Sequence, residues 1–288
     1  MQGTVDGFSY GLVTPLVAYL MACLGGALGL RCTTRSMLVA GSWRPGWLAL
    51  GSAAIGSGIW TMHFIAMMGF TVKEAPIHYD KPTTYASLGV AIVMVGIGIF
   101  IVGYRGATGT ALFTGGTITG LGIASMHYLG MAGMRLNGQL EYNTLTVAAS
   151  VVIAMAAATA ALWAAGQVRG FLWSIGASLV MGLAVSGMHY TGMAALSVHL
   201  HGTAEPTAGD SPAALLAPML IGPLAFLCLA GVVVLFDPLM VMGKPDWPRP
   251  ENKPGVPAHV PVHHQGTRFQ PSARRRPAGR RARTPQSR

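Results

Sequence analysis

Charged residues divide the first 243 positions into seven long uncharged stretches: 7–30, 45–72, 82–104, 106–134, 142–168, 170–204 and 211–236. Each can hold the roughly 20 apolar residues that a helix needs to cross the hydrocarbon core of a bilayer. Polar positions do not alternate in steps of two within them, as the ~10-residue strands of a membrane barrel would require. The pattern predicts an all-α polytopic membrane protein with seven transmembrane helices. Residues 1–9 contain no Lys or Arg, so the first stretch lacks the basic start of a signal peptide. It reads as a retained helix behind a short N-terminus, 1–9.

Composition agrees. Of 288 residues, 52% are hydrophobic and 10% charged, and the mean hydropathy is +0.50; a soluble globular domain carries about 25% charged residues. The net charge of +10 is unevenly placed, with eleven of the nineteen Lys/Arg lying from Lys244 onward. Such a tail, with its basic residues outside any folded region, does not read as a nucleic-acid surface. Arg31, Arg35, Arg44, Arg105 and Arg169 fall after the first, third and fifth stretches, whereas Asp6, Glu74, Asp80, Glu141, Glu205 and Asp210 fall on the other side with Lys73, Lys81 and Arg135. The positive-inside rule then puts the N-terminus outside and the C-terminal tail in the cytoplasm, in a plasma-membrane protein.

One pattern occurs three times. Gly56-Ser-Gly-Ile-Trp-Thr-Met-His-Phe-Ile-Ala-Met67, Gly120-Leu-Gly-Ile-Ala-Ser-Met-His-Tyr-Leu-Gly-Met131 and Gly182-Leu-Ala-Val-Ser-Gly-Met-His-Tyr-Thr-Gly-Met193 align without gaps. Their histidines, His63, His127 and His189, are 64 and 62 residues apart, the length of two membrane helices with their loops. The predicted unit is therefore a helix pair used three times, at about 10–72, 82–134 and 142–202, with a seventh helix at 211–236. An even number of crossings per unit gives the three motifs the same direction, near the outer ends of helices two, four and six.

Residues four apart on a helix differ by only about 40° around its axis. His63 and Met67, His127 and Met131, and His189 and Met193 are thus same-face pairs, and the small residues three after each His, Ala66, Gly130 and Gly192, with the glycines seven before it, form a small-residue face suited to close helix approach. Three such faces are expected to converge inside the bundle. An ionisable residue inside a membrane segment is costly and points to function. Imidazole suits copper, zinc and iron, and thioether selects Cu(I), so a His/Met set points first to copper. Haem fits three equivalent copies poorly, and zinc usually recruits Cys or carboxylate, neither of which repeats here. Met62, Met126 and Met188 reach such a site only from its flank. Phe64, Tyr128 and Tyr190 cap it or anchor the helices at the interface. The competing reading is an inherited helix-packing device, in which each imidazole bonds to a neighbour.

The tetrads Met62-His-Phe-Ile, Met126-His-Tyr-Leu and Met188-His-Tyr-Thr resemble the repeated signature of the MHYT-domain family of bacterial integral membrane proteins. The last copy matches in full, the first has Phe for Tyr, and the first two lack the Thr. The likeness covers residues 10–202. It implies a membrane-embedded, sensor-like module that binds a metal, copper, and through it dioxygen, carbon monoxide or nitric oxide. The implied ligands are His63, His127 and His189 with Met67, Met131 and Met193.

After these elements, residues 237–288 are rich in Pro and Arg and expected to be disordered. The run Arg274, Arg275, Arg276, Arg280, Arg281 and Arg283 suits anionic lipid head groups on the inner leaflet. No nucleophile–base pair, phosphate loop or intramembrane carboxylate pair accompanies the motif. The leading expectation is a sensor acting on a separate cytoplasmic partner. A copper transporter or chaperone and a membrane cuproenzyme are the alternatives.

Overall fold

The structure is a computed structural model that describes residues 3–39, 43–167, 170–200 and 211–237. The expected disordered tail beyond Asp237, with its arginine run and His259, His263 and His264, lies outside the described residues, as do His201, Arg169, Glu205 and Asp210. Seven helices are described: α1 (Val13–Leu38), α2 (Trp43–Met68), α3 (Lys81–Arg105), α4 (Gly109–Ala132), α5 (Thr144–Ala165), α6 (Phe171–Ala194) and α7 (Pro212–Leu235). Six are long and apolar enough to cross a membrane. The exception is α4, where Gly and Thr replace larger apolar side chains.

Local sequence explains the helix ends. Asp80, Thr108, Asn143 and Ser211 each accept, through the side chain, the N–H three residues on, which caps α3, α4, α5 and α7. The bond from Thr83 holds the Asp80 carboxyl below its ordinary range. At the other end of α3, Gly106 takes a left-handed φ of 76°, which a residue with Cβ rarely adopts. The first helix departs from the expected pattern, because it runs past Arg31 and Arg35 to Leu38. Basic residues near a helix C-terminus favour the helix dipole and need not end the helix. Arg35 is held there by Asp237, Nε to Oδ2 at 2.7 Å, and lies over the Trp47 ring.

Six short strands were not expected from the hydrophobic pattern. They are β1 (Val5–Asp6), β2 (Thr71–Val72), β3 (His78–Tyr79), β4 (Met134–Arg135), β5 (Gly138–Tyr142) and β6 (Leu196–Leu200). They pair antiparallel as β1–β2, β3–β4 and β5–β6. The end of the sixth uncharged stretch, residues 196–200, lies beyond α6 and forms strand β6. Each pair ties the strand before an odd-numbered helix to the strand after the next even-numbered one. The order is thus strand–helix–helix–strand, three times over. One backbone bond recurs in each unit: Ser9 N–H to Gly69 O (3.0 Å), Asp80 N–H to Gly133 O (2.8 Å) and Asn143 N–H to Ala195 O (2.9 Å).

The first six helices pack in a closed ring, each against its chain neighbours and α6 back against α1. The seventh packs outside, on α2 and α1. Glycine sets the closest approaches. A Cβ on Gly25 would stand 2.6 Å from Gly58 Cα, so α1 and α2 touch through bare backbone. The glycines seven before the histidines do not line the axis as their helical phase suggested. A Cβ on Gly56 would meet the Ile92 backbone of α3 at 2.8 Å, one on Gly120 the Met155 backbone of α5 at 2.4 Å, and one on Gly182 the Cys23 sulfur of α1 at 2.5 Å. Each therefore seats an even helix against the next odd helix around the ring.

Candidate metal centre

The three motif histidines meet on the ring axis. Each is buried, 1–2% exposed. Their Nδ1 atoms form a triangle with sides of 3.0 Å (His63–His189), 3.2 Å (His63–His127) and 3.3 Å (His127–His189). The rings stand nearly perpendicular to one another, at interplanar angles of 77–87°. Among the described residues this is the one group of three or more His, Cys, Asp or Glu able to hold a metal ion.

An imidazole nitrogen either carries a proton or offers a lone pair, and cannot do both. Three such nitrogens in mutual contact therefore cannot all be satisfied by one another, whatever the tautomers. Leaving buried polar groups unpaired is costly. One cation between them uses all three lone pairs at once. Ligand nitrogens about 2.0–2.1 Å from one ion stand about 3.3–3.5 Å apart, close to the observed spacing. The donor set thus fits a metal ion.

The outward nitrogens meet backbone. A Cβ on Gly130 would stand 2.7 Å from His63 Nε2, and one on Gly192 2.5 Å from His127 Nε2. Both Nε2 atoms are buried without a hydrogen-bond partner. Each ring is thus wedged against a glycine of the next motif around the axis. In the first motif the same position is Ala66.

Aromatic rings close the motif end. Phe64, Tyr128 and Tyr190 each pack edge-on to their own histidine, with centroids 4.6, 4.8 and 4.9 Å away. A second ring from the strand-bearing connections packs on each: Tyr79 on Phe64 at 6.5 Å, Tyr142 on Tyr128 at 5.8 Å, and Phe8 on Tyr190 at 5.8 Å. Sequence reasoning missed these three partners. A signal was present for two of them, since Tyr79-Asp80 and Tyr142-Asn143 each set a tyrosine directly before a helix-capping residue. Burial pushes the Tyr142 phenol up to about 12 and Tyr79 above its ordinary value, so both stay neutral. With buried Phe70, Val72, Ile77, Met134, Val198 and Leu200 they form an apolar lid between the histidines and this end of the bundle.

The expected thioethers lie in the same region. Met67 and Met131 are fully buried and Met193 half-buried, one helical turn beyond the histidines. Met62, Met126 and Met188 are fully buried. Elsewhere, His199 faces Glu141 across β5–β6 at 3.4 Å on the exposed surface.

Three stretches, 56–115, 120–177 and 182–238, match the MHYT family described as "Bacterial signalling protein N terminal repeat". They begin at the three motif glycines and cover more than half of the chain, which therefore belongs to this family of bacterial signalling proteins. Its relatives include the bifunctional diguanylate cyclase/cyclic di-GMP phosphodiesterase MucR of Pseudomonas aeruginosa, 38% identical over 65% of this chain and 28% of that protein. The cyclic di-GMP phosphodiesterase NbdA of the same organism is 35% identical over 68% of this chain and 26% of that protein. The signaling protein YkoW of Bacillus subtilis is 30% identical over 66% of this chain and 24% of that protein. The chain thus spans about a quarter of the length of these relatives. No solved structure matches it.

Proposed function

We propose that this chain is a plasma-membrane sensor that holds one copper ion between His63, His127 and His189 and responds to a diatomic gas or to redox state. The observation that carries the reading is the Nδ1 triangle, whose nitrogens one another cannot satisfy. Three imidazoles with Met67, Met131 and Met193 close by favour copper, because thioether is a ligand of soft Cu(I). When bound, such an ion supplies a site where a small ligand changes the coordination, or an electron the charge, at the axis.

The protein's own part is mechanical. Each histidine comes from a different even helix, and His63 and His127 rest on the next motif around the axis, so a change at the axis is felt by α2, α4 and α6 together. The lid excludes bulk water and large ligands. All seven helices span in this reading, α4 shielded by its neighbours, with the N-terminus and lid outside and the far end in the cytoplasm. From there the change passes to a signalling partner, of which the cyclic di-GMP enzymes named among the relatives are examples. The membrane domain is 10–202, followed by α7 and a cytoplasmic tail that contacts anionic lipid.

The test is elemental analysis of detergent-purified protein reconstituted with Cu(I), beside a triple variant with His63, His127 and His189 changed to Ala and helix content matched by circular dichroism. About one copper per chain, lost in the variant, is expected for a site of this ligand count. Equal copper in both proteins, or none in either, would overturn the reading.

A further inference from the structure

One helical turn inward from the histidines, the ring axis is not filled. A cavity of about 30 Å³ opens there. Its upper layer is Ile59, Ile123 and Val185, four residues before each histidine, and the next is Ile55, Thr119 and Met181. The lining is almost wholly apolar. A buried water needs two to four polar partners and roughly 10–15 Å³ of such space. Thr119 Oγ1, itself buried without a partner, is the one polar side-chain atom in this lining, so the space has the character of a dry site for something apolar. Its size admits a molecule of about two heavy atoms.

The cavity also has a thin wall. Between α5 and α6, toward the far end, a groove of about 440 Å³ is lined by Ala160, Ala164, Trp173, Gly176 and others. Ala157, Ala161 and Met181 line both the groove and the axial cavity. A second groove, of about 650 Å³, lies between α4 and α5, but none of its lining residues borders the axial cavity; α1 and α2 touch through the backbone of Gly25 and Gly58, and α3 and α4 through Gly98, whose Cβ would stand 2.8 Å from Gly115 O. By contrast, a Cβ on Gly176 would meet nothing within 4 Å. The path toward the aqueous side above the histidines is shut by the aromatic lid.

We propose that the axial cavity binds a small, uncharged, apolar molecule of diatomic size, which arrives dissolved in the bilayer and enters sideways between α5 and α6 past Met181. Occupancy depends on the apolar lining alone. That the molecule waits there for the metal rests on the function proposed above.

The test uses the full chain in lipid nanodiscs with labelled isoleucine methyl groups and xenon as the probe. Saturable xenon-induced shifts at Ile55, Ile59 and Ile123 are expected in protein kept free of metal. Val185→Phe should abolish them. Gly176→Leu and Ala177→Leu, which fill the open groove without entering the core, should slow xenon exchange while leaving the saturated shift intact. Shifts that grow linearly and at all methyls alike would overturn the cavity, and unchanged exchange in both groove variants would overturn the lateral path. Because xenon needs no metal, failure of either part is distinguishable from failure of copper binding.

Discussion

At the scale of single residues, the site depends on what is missing as much as on what is present. Gly192 gives its Cβ space to the His127 ring, and Gly130 does the same for His63. Gly192→Ala would place a methyl 2.5 Å from His127 Nε2, and that ring, packed against Tyr128, cannot swing away without breaking the triangle. Disturbing the shell that orients a metal-binding histidine costs about 10–100-fold in metal affinity. A fall of that size is expected in competition titrations with a Cu(I) chelator, with helix content retained. Converting Ala66 to Gly should change affinity little, because it adds no atom. The histidines and the small residues three positions on were legible in the sequence, because repetition singled them out. Phe8, Tyr79 and Tyr142 were not, because ring packing across connections depends on which strands pair, and two-residue strands leave almost no periodic trace.

At the scale of elements, long uncharged runs located all seven helices, since a helix satisfies its own backbone in an apolar medium. Charge located their ends less well. Arg31 was expected outside the first helix, yet α1 continues through it to Leu38, since a long side chain can carry its charge away from the apolar face. Helical phase also misassigned Gly56, Gly120 and Gly182 to the axis. They lie two turns from the histidines, where the even helices cross their odd neighbours, and they seat that crossing. Gly120→Val would drive side-chain atoms into the Met155 backbone. Overpacking of this kind costs about 1–3 kcal/mol, so the melting temperature in detergent should fall clearly, and by more than for Gly89→Val, where nothing stands within 4 Å.

At the scale of the whole molecule, six helices form the ring and the seventh stands outside it. Arg35 and Asp237, 12% and 7% exposed at their side chains, join the end of α1 to the second residue after α7. Removing one member of a buried ion pair costs up to about 3–5 kcal/mol. Arg35→Met should therefore lower the thermal unfolding temperature. It should also make Cys228 of α7 react faster with a membrane-permeant thiol reagent. An unchanged Cys228 rate would mean that the pair does not hold the seventh helix.

The triangle on the axis takes one nitrogen from each of three successive parts of one polypeptide. Separate helix pairs meeting as a threesome would make the same triangle only when enough of them shared a patch of membrane. Joined in a single chain, the partners are always at high effective concentration. The site then assembles equally well from one copy per cell or from thousands, and its response carries no record of how much protein has been made.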